Sequence, residues 1–269
     1  MTINKITIIG AGKMGEAIIL GLLKSGIYHP RDIQIVEVLA ERREYILQTY
    51  DVAAAHKLDD AVQFGDLIVV AVKPNVVGEI ATQLSHVITP EKIVISIAAG
   101  VTIKQIRTHL PTNTPVIRVM PNLACSVNEA MIVACPSANT TIEEMNAATE
   151  VLQLLGKFVQ LEEQYLNLAT GLVGSGPAYL FVIIDALADA GVRLGLPKNL
   201  SIILAAQTTL GSAKIVIETG EHPAKLKDMV ATPGGTTVEG LLALEQGKVR
   251  ATLISAVTEA TRRAKGLGN

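Results

Sequence analysis

The chain has 269 residues, with 23 Lys and Arg against 25 Asp and Glu, so its formal net charge is −2 at pH 7. This balance, with no run of Lys and Arg, argues against a nucleic-acid partner, because binding to a nucleic-acid backbone normally shows as a basic patch. The two cysteines, Cys125 and Cys135, have no histidine beside them, which argues against both a zinc site and a disulfide framework.

The first part of the chain alternates short β-branched runs with helical stretches up to about residue 162. The runs are apolar without clean alternation, as expected for strands covered on both faces of a mostly parallel sheet. After Leu161 only helical patterns follow, broken near residues 195–197, 220–223 and 233–235. We therefore predict an α/β domain over 1–162 and an all-helical domain over 163–269. The predicted strands lie at residues 5–9, 33–38, 67–72, 93–97, 116–120, 130–135 and 157–161.

The loop after the first predicted strand has the pattern G-x-G-x-x-G and opens a helix. Its glycines allow a tight turn, close approach to a pyrophosphate and close helix packing. An acidic residue, Glu37, follows about twenty residues later near the end of the next strand, where it can reach a ribose. The pattern predicts a dinucleotide site in a Rossmann-type domain, and the alternative is a glycine-rich turn without a ligand. The candidate residues of this loop are Gly10, Gly12, Lys13, Met14 and Gly15.

Three further strand ends carry residues that are unusual for a plain strand end, and cofactors lie across such ends in this kind of sheet. Each has a structural alternative: Lys73 as a solvated cation, the alanines as packing residues, and Pro121 as a turn former. Their occurrence on one edge favours a site. The candidates are Ala71, Val72, Lys73, Pro74, Ala98, Ala99 and Asn122.

Two segments of the second half, residues 177–190 and 200–217, are nearly all apolar. Asp185 and Asp189 argue against a membrane span, because carboxylates in a lipid-facing helix are costly. About a hundred residues cannot bury so much apolar surface alone, so we predict an obligate oligomer, at least a dimer, with its interface in this half.

A second glycine segment, "TPGGTT" at residues 232–237, precedes another apolar helical pattern. Backbone N–H groups at such a helix start can bind an anion. The alternative is an ordinary helix start capped by Thr232. Similarly, "GSGPAY" at residues 174–179 fits a helix start with Ser175 as the cap and Pro177 in the first turn.

These motifs occur together in a known order. "GAGKMGEAI", "AVKP", "AAGVT", "GSGPAY", "ALADAGVRLGLP", "EHPAKLKDMV" and "TPGGTTVEGLLALE" resemble the pyrroline-5-carboxylate reductase family from about residue 3 to about residue 264. One departure is Thr232, where many members have Ser. The resemblance implies a Rossmann-type domain followed by an all-α dimerisation domain. It also implies hydride transfer from NAD(P)H to C5 of Δ1-pyrroline-5-carboxylate, the step that completes proline biosynthesis.

The resemblance further implies roles for individual residues. The substrate carboxylate would lie on the second glycine segment, with Thr237 as the catalytic residue that orients or protonates the imine nitrogen; a helix-start hydroxyl that satisfies backbone groups is the alternative. Ser175, Gly176 and Pro177 would lie near the nicotinamide. The family assembles as homodimers or rings of dimers. The implied substrate-binding residues are Thr232, Gly234, Gly235, Thr236 and Thr237.

The nicotinamide cofactor is NADPH or NADH, and Glu37 favours NADH because its carboxylate would repel a 2′-phosphate. Arg42 and Arg43, one turn into the next helix, leave NADPH open. We expect no metal, because no ligand pattern is readable, and His222 fits a solvent-facing loop residue. The N-terminus has no signal-peptide pattern, which predicts a cytoplasmic protein.

Two alternatives share the predicted fold. One is a β-hydroxyacid dehydrogenase or imine reductase with a lysine acid, for which Lys198, Lys214, Lys225 and Lys227 are available without the expected spacing. The other is a dinucleotide-sensing protein that has lost turnover, since a fold alone does not fix function.

Overall fold

A computed structural model gives the fold of residues 1–55 and 57–267. Within these residues eight strands form one sheet, in the order β3-β2-β1-β4-β5-β6-β7-β8. The strands are β1 (Ile6–Ile9), β2 (Ile33–Val36), β3 (Ala53–Ala54), β4 (Leu67–Val70), β5 (Ile93–Ser96), β6 (Val116–Met120), β7 (Ala130–Pro136) and β8 (Gly156–Gln160).

All neighbouring strands are parallel except β6 and β7. The predicted mostly parallel sheet is therefore confirmed, and all seven predicted strands are present. The prediction missed β3, because its two alanines carry no β-branched signal. In the sheet, β2 lies on one side of β1 and β4 lies on the other, so the strand order reverses at β1, which ends at Ile9.

The sheet is covered by apolar side chains on both faces, which explains why the predicted strands lack polar alternation. Within β1, Ile8 packs into one hydrophobic cluster and Ile9 into another. In β4, Val69 and Val70 divide between the same two clusters. Helices lie between the strands and after them. They are α1 (Lys13–Lys24), α2 (Ala40–Tyr50), α3 (Leu58–Phe64), α4 (Val77–Leu84), α5 (Ile103–Arg107), α6 (Ile142–Gln153), α7 (Leu166–Ala169), α8 (Gly176–Arg193), α9 (Lys198–Thr219), α10 (Pro223–Val230), α11 (Thr236–Gln246) and α12 (Val249–Lys265).

The chain forms two compact units. The sheet unit comprises residues 1–175 and 259–267, and the helical unit is Gly176–Thr258. Strands end at Gln160 and helices begin at Glu163, close to the predicted division at residue 162. The boundary between the two compact units lies further along the chain, at residue 176, since the helical residues 163–175 group with the sheet, as does the end of α12.

The helical unit buries very little of its apolar surface. Only small side chains such as Ala188 and Ala205 are buried there, whereas the side chain of Leu194 is 86% exposed. By length and composition alone, the helical segments Glu163–Arg193 and Lys198–Thr219 could cross a membrane. The acidic residues of α8 that argued against a span, Asp185 and Asp189, both pair with the Lys198 ammonium, at 3.3 and 2.6 Å.

Candidate cofactor and substrate sites

The glycine loop after β1 has the tight geometry that the sequence predicted. Gly10 has φ +94°, in the region that favours glycine, and a Cβ there would lie 2.9 Å from the Ala71 carbonyl oxygen. A Cβ on Gly15 would collide with the Gly10 carbonyl oxygen. The first and third glycines are therefore required by packing of the loop against β4 and of α1 against the loop.

The second glycine has a different environment. Gly12 is the N-cap of α1, and a Cβ built on it would meet nothing within 4 Å. The space over this position is open, and the first N–H groups of α1 have no partner inside the helix. This combination fits a pyrophosphate, which needs close backbone approach and a helix N-terminus. Beside it on the helix, Lys13 is exposed and Met14 is half-buried.

Glu37 contacts the glycine loop directly. Its Oε2 accepts the Ala11 N–H at 2.9 Å, and its Oε1 accepts the Leu39 N–H at 3.0 Å. The predicted ribose residue is thus also part of the loop's own support. Arg43 Nη1 donates to the carbonyl oxygens of Glu37 and Val38 at 2.7 and 2.9 Å.

The other predicted strand ends lie at the same edge of the sheet. The Ala71 N–H donates to Ile9 O at 2.8 Å, so the segment Ala71 to Pro74 begins beside the glycine loop. Lys73 is exposed before a 3-10 turn, Pro74–Val76, and Val72 packs against the core.

The remaining edge residues divide between packing and positioning. Ala98 is buried in a core cluster, which supports its structural alternative, whereas Ala99 is half-buried. Asn122 Oδ1 accepts the Ala124 N–H at 3.2 Å, and its Nδ2 donates to Val173 O at 3.3 Å. Asn122 therefore holds the segment that leads to Ser175.

The structure contradicts the interpretation of Ser175 as an N-cap. Residues Thr170–Gly174 form a π turn, and the Ser175 N–H donates to Thr170 O at 3.0 Å. Ser175 itself has helical φ and ψ, and α8 begins at the next residue, Gly176. Pro177 occupies the first turn of α8, as predicted. π turns often occur at functional sites.

The second glycine segment forms a β-turn and then a helix. The Gly235 N–H donates to Thr232 O at 2.9 Å, and Gly234 has φ +70°. With Pro233 before it, this geometry is a type II turn. The N-cap of α11 is Gly235, without a side-chain cap, so the alternative in which Thr232 caps the helix is wrong.

The Thr237 side chain is half-buried at the second position of α11, beside the exposed Thr236. Within residues 1–55 and 57–267, no hydrogen bond engages the Thr237 hydroxyl. Helical threonines such as Thr252 instead donate to the carbonyl four residues earlier. The alternative in which Thr237 satisfies backbone groups is therefore not what the structure shows.

His222, predicted to face solvent, is exposed and also caps α10 by accepting the Ala224 N–H at 3.2 Å.

Sequence reasoning missed a polar cluster behind the glycine loop. Glu16, in the first turn of α1, accepts hydrogen bonds from Arg42 and from the hydroxyls of Tyr45 and Tyr50. A signal was present, because Glu16 directly follows the last glycine of the predicted anion-binding loop, where an unpaired carboxylate would repel the anion. An open cavity of about 510 Å³ adjoins this cluster, lined by Leu39, Ala40, Glu41, Arg42 and Tyr45.

Comparisons with known proteins give consistent results over the whole chain. A family model described as pyrroline-5-carboxylate reductase dimerisation matches residues 163–267, and one described as NADP oxidoreductase, coenzyme F420-dependent, matches residues 5–100. The pyrroline-5-carboxylate reductase of Methanosarcina acetivorans is 41% identical over 265 residues, 98% of either chain. A Coxiella burnetii pyrroline-5-carboxylate reductase structure has 32% identity and a TM-score of 0.87, covering 100% of both chains. The Plasmodium falciparum enzyme, solved with NADP bound, has 28% identity and a TM-score of 0.90 over 98% of each chain.

Proposed function

The chain belongs to the pyrroline-5-carboxylate reductase family, and on that premise we propose how its two glycine segments divide the work of the reaction. The reaction is reduction of Δ1-pyrroline-5-carboxylate to L-proline with NAD(P)H, the last step of proline biosynthesis. The first glycine loop binds the cofactor pyrophosphate, and residues 232–237 bind the substrate carboxylate. The observation that carries the proposal is the open space at Gly12 over the start of α1.

Residues of the sheet unit hold the cofactor, together with Gly176 and Pro177 at the start of the helical unit. Gly10, Gly12 and Gly15 shape the loop, the start of α1 at Lys13 and Met14 faces the pyrophosphate, and Glu37 accepts the ribose hydroxyls. When bound, the nicotinamide supplies the hydride. The edge residues position its ring, together with the segment after the π turn. These are Ala71, Val72, Lys73, Pro74, Ala98, Ala99, Asn122, Ser175, Gly176 and Pro177.

Residues of α11 and the preceding turn hold the substrate. The type II turn leaves the N–H groups of Thr236 and Thr237 at the start of α11, where the helix favours a carboxylate. Thr232, Gly234 and Gly235 form the turn. The Thr237 hydroxyl, which has no partner in the described chain, orients the imine nitrogen and relays a proton to it from solvent water. Little other acid-base machinery is needed, because a protonated imine already accepts hydride readily.

We propose that this NAD(P)H-dependent reductase prefers NADH to NADPH. The Glu37 carboxylate is fixed at the end of β2 by two backbone N–H groups, so a 2′-phosphate would meet a negative charge that cannot easily move away. Glu37→Ser is expected to raise kcat/KM with NADPH relative to NADH. An unchanged ratio would place Glu37 away from the ribose.

The exposed apolar helices support self-association, as a homodimer or a ring of dimers, through residues 163–269. We propose that this interface, rather than a membrane, covers Glu163–Arg193 and Lys198–Thr219. The near-neutral charge supports the absence of a nucleic-acid partner, and we assign the protein to the cytoplasm.

A threonine pair tests the substrate assignment. Thr237→Val preserves side-chain shape, so kcat is expected to fall about ten- to a thousandfold while the NADH dissociation constant stays unchanged. Thr252→Val removes a hydroxyl whose hydrogen bond goes to the carbonyl of Lys248, just before α12, so it controls for loss of a helical hydroxyl. Normal kcat in a folded Thr237→Val protein would remove the catalytic role.

Turnover itself separates the alternatives. Family membership displaces the β-hydroxyacid dehydrogenase alternative. Two steady-state assays check it: oxidation of NADH with Δ1-pyrroline-5-carboxylate, and reduction of NAD⁺ with 3-hydroxyisobutyrate. A protein that binds NADH with normal affinity yet turns over neither substrate would be a sensor instead.

A further inference from the structure

Both backbone polar groups of Ala11, in the first glycine loop, form hydrogen bonds with side chains. Its N–H donates to Glu37 Oε2 at 2.9 Å, and its carbonyl oxygen accepts from Arg42 Nε. Ala11 is fully buried, between the two glycines that form the turn. The conformation of the loop is therefore fixed by residues of the second strand-helix unit as well as by its own glycines.

The same guanidinium has a second fixed partner. Arg42 Nη2 pairs with Glu16 Oε2, while Glu16 Oε1 accepts the hydroxyls of Tyr45 at 2.9 Å and Tyr50 at 2.8 Å. Arg42 also lies over the Tyr45 ring, 4.7 Å from its centroid. The side chains of Arg42 and Glu16 are only 22% and 15% exposed. Arg42 is thus anchored beneath the loop by three groups.

The charge of Glu16 matters because it lies in the first turn of α1, where the pyrophosphate would bind. Burial alone would raise the pKa of Glu16, but the hydrogen bonds from Arg42, Tyr50 and Tyr45 lower it below its ordinary value. The carboxylate is therefore ionised at neutral pH. Without Arg42 it would leave an uncompensated negative charge beside a dianionic ligand, which opposes binding.

We propose that Arg42 is a positioning residue for the dinucleotide pyrophosphate and not a ligand of the 2′-phosphate. It holds the Ala11 carbonyl and neutralises Glu16, and both effects act at the pyrophosphate, which NADH and NADPH have in common. Arg42 therefore supports the two cofactors equally, and the choice between them depends on other groups, Glu37 first. The inference rests on the proposed function only in that a dinucleotide binds the first loop.

Replacement of Arg42 tests this by binding alone. In Arg42→Gln, the dissociation constants of NADH, NADPH and ADP-ribose, measured by calorimetry without substrate, are expected to rise by one common factor. That factor is roughly ten- to a hundredfold, the range of one charge-assisted hydrogen bond. Arg262→Gln is the matched control, since it breaks an exposed pair with Glu259, and no affinity is expected to change. Weaker binding of NADPH alone would show that Arg42 contacts the 2′-phosphate and would overturn the proposal.

A double variant distinguishes positioning from a general loss of structure. Adding Glu16→Gln to Arg42→Gln removes the uncompensated carboxylate, so part of the ADP-ribose affinity is expected to return. A merely structural role would lower the thermal midpoint in both variants without such a recovery, and absence of recovery would overturn the proposal. Because no turnover is measured, the result stands whether or not the protein reduces Δ1-pyrroline-5-carboxylate.

Discussion

A methyl group on Gly12 tests the open space over α1 more directly than any change to a charged residue. Gly12 has φ −66° and ψ −168°, which alanine adopts without strain, and its Cβ would meet nothing within 4 Å. Restricting the unfolded chain stabilises by about 0.4–1 kcal/mol, and alanine is a poorer N-cap than glycine by a similar amount. The free energy of unfolding of Gly12→Ala is therefore expected to stay within about 1 kcal/mol of the parent.

Cofactor affinity should respond quite differently, because the new methyl group occupies the space through which a pyrophosphate approaches the backbone. Loss of one charge-assisted hydrogen bond from a backbone N–H costs about 1.5–3 kcal/mol, which raises the dissociation constant about ten- to 150-fold. Calorimetric titration with ADP-ribose and NADH measures this, and thermal unfolding without ligand measures stability.

Gly15→Ala is the matched comparison. Its Cβ would collide with the Gly10 carbonyl oxygen, so the apoprotein itself should lose about 1–3 kcal/mol or more through overpacking. The two alanine variants should thus separate binding from folding. If Gly12→Ala binds ADP-ribose as tightly as the parent, the pyrophosphate does not approach this position and the reasoning about the loop is wrong.

Four further expectations concern other parts of the molecule. The pKa of Glu16 is lowered in the folded state, so the ionised carboxylate stabilises the fold above the ordinary pKa of glutamate, and this stabilisation is lost as the pH falls through the folded pKa. The difference in unfolding free energy between the parent and Glu16→Gln, measured by urea unfolding, should therefore shrink towards acid pH. A difference that stays constant with pH would contradict this expectation. Burial raises the pKa of the Cys125 thiol to about 12, so iodoacetamide at pH 8 should label it only after unfolding, and mass spectrometry would detect labelling of the native protein. Sedimentation equilibrium at micromolar concentration should show at least a dimer, and a stable active monomer would refute the interface in the helical unit. Extended treatment with EDTA should leave turnover unchanged, whereas a loss restored by zinc would disprove the metal-free assignment.

The glycine loop could be predicted from sequence because its constraints are local. The spacing of Gly10, Gly12 and Gly15 follows from one strand-turn-helix unit, in which Gly15 packs against the Gly10 carbonyl. Only Gly10 also packs against a distant segment, at the Ala71 carbonyl. The strand ends followed from the same logic, because parallel strands place their carboxyl ends at one edge.

Features that depend on distant residues could not be predicted in this way. Ser175 follows the local pattern of a helix cap, yet the chain enters α8 through a π turn whose Val173 carbonyl is held by Asn122. From the sequence, Arg42 is only a possible contact of NADPH, because the residues near it in sequence do not indicate that Ala11 and Glu16 lie against it. Local propensity identifies the elements, whereas tertiary contacts decide what their side chains do.

The sheet unit is discontinuous in sequence, since residues 259–267 complete a body whose other residues all precede position 176. During synthesis the first strands leave the ribosome long before the end of α12. Ala264, which is buried, can join its unit only after the whole helical unit has been made. Domains commonly fold in order as they are made, but here the N-terminal unit stays incomplete until residues 259–267 have been made. A truncation before residue 259 would therefore damage the unit that is formed mainly by residues 1–175.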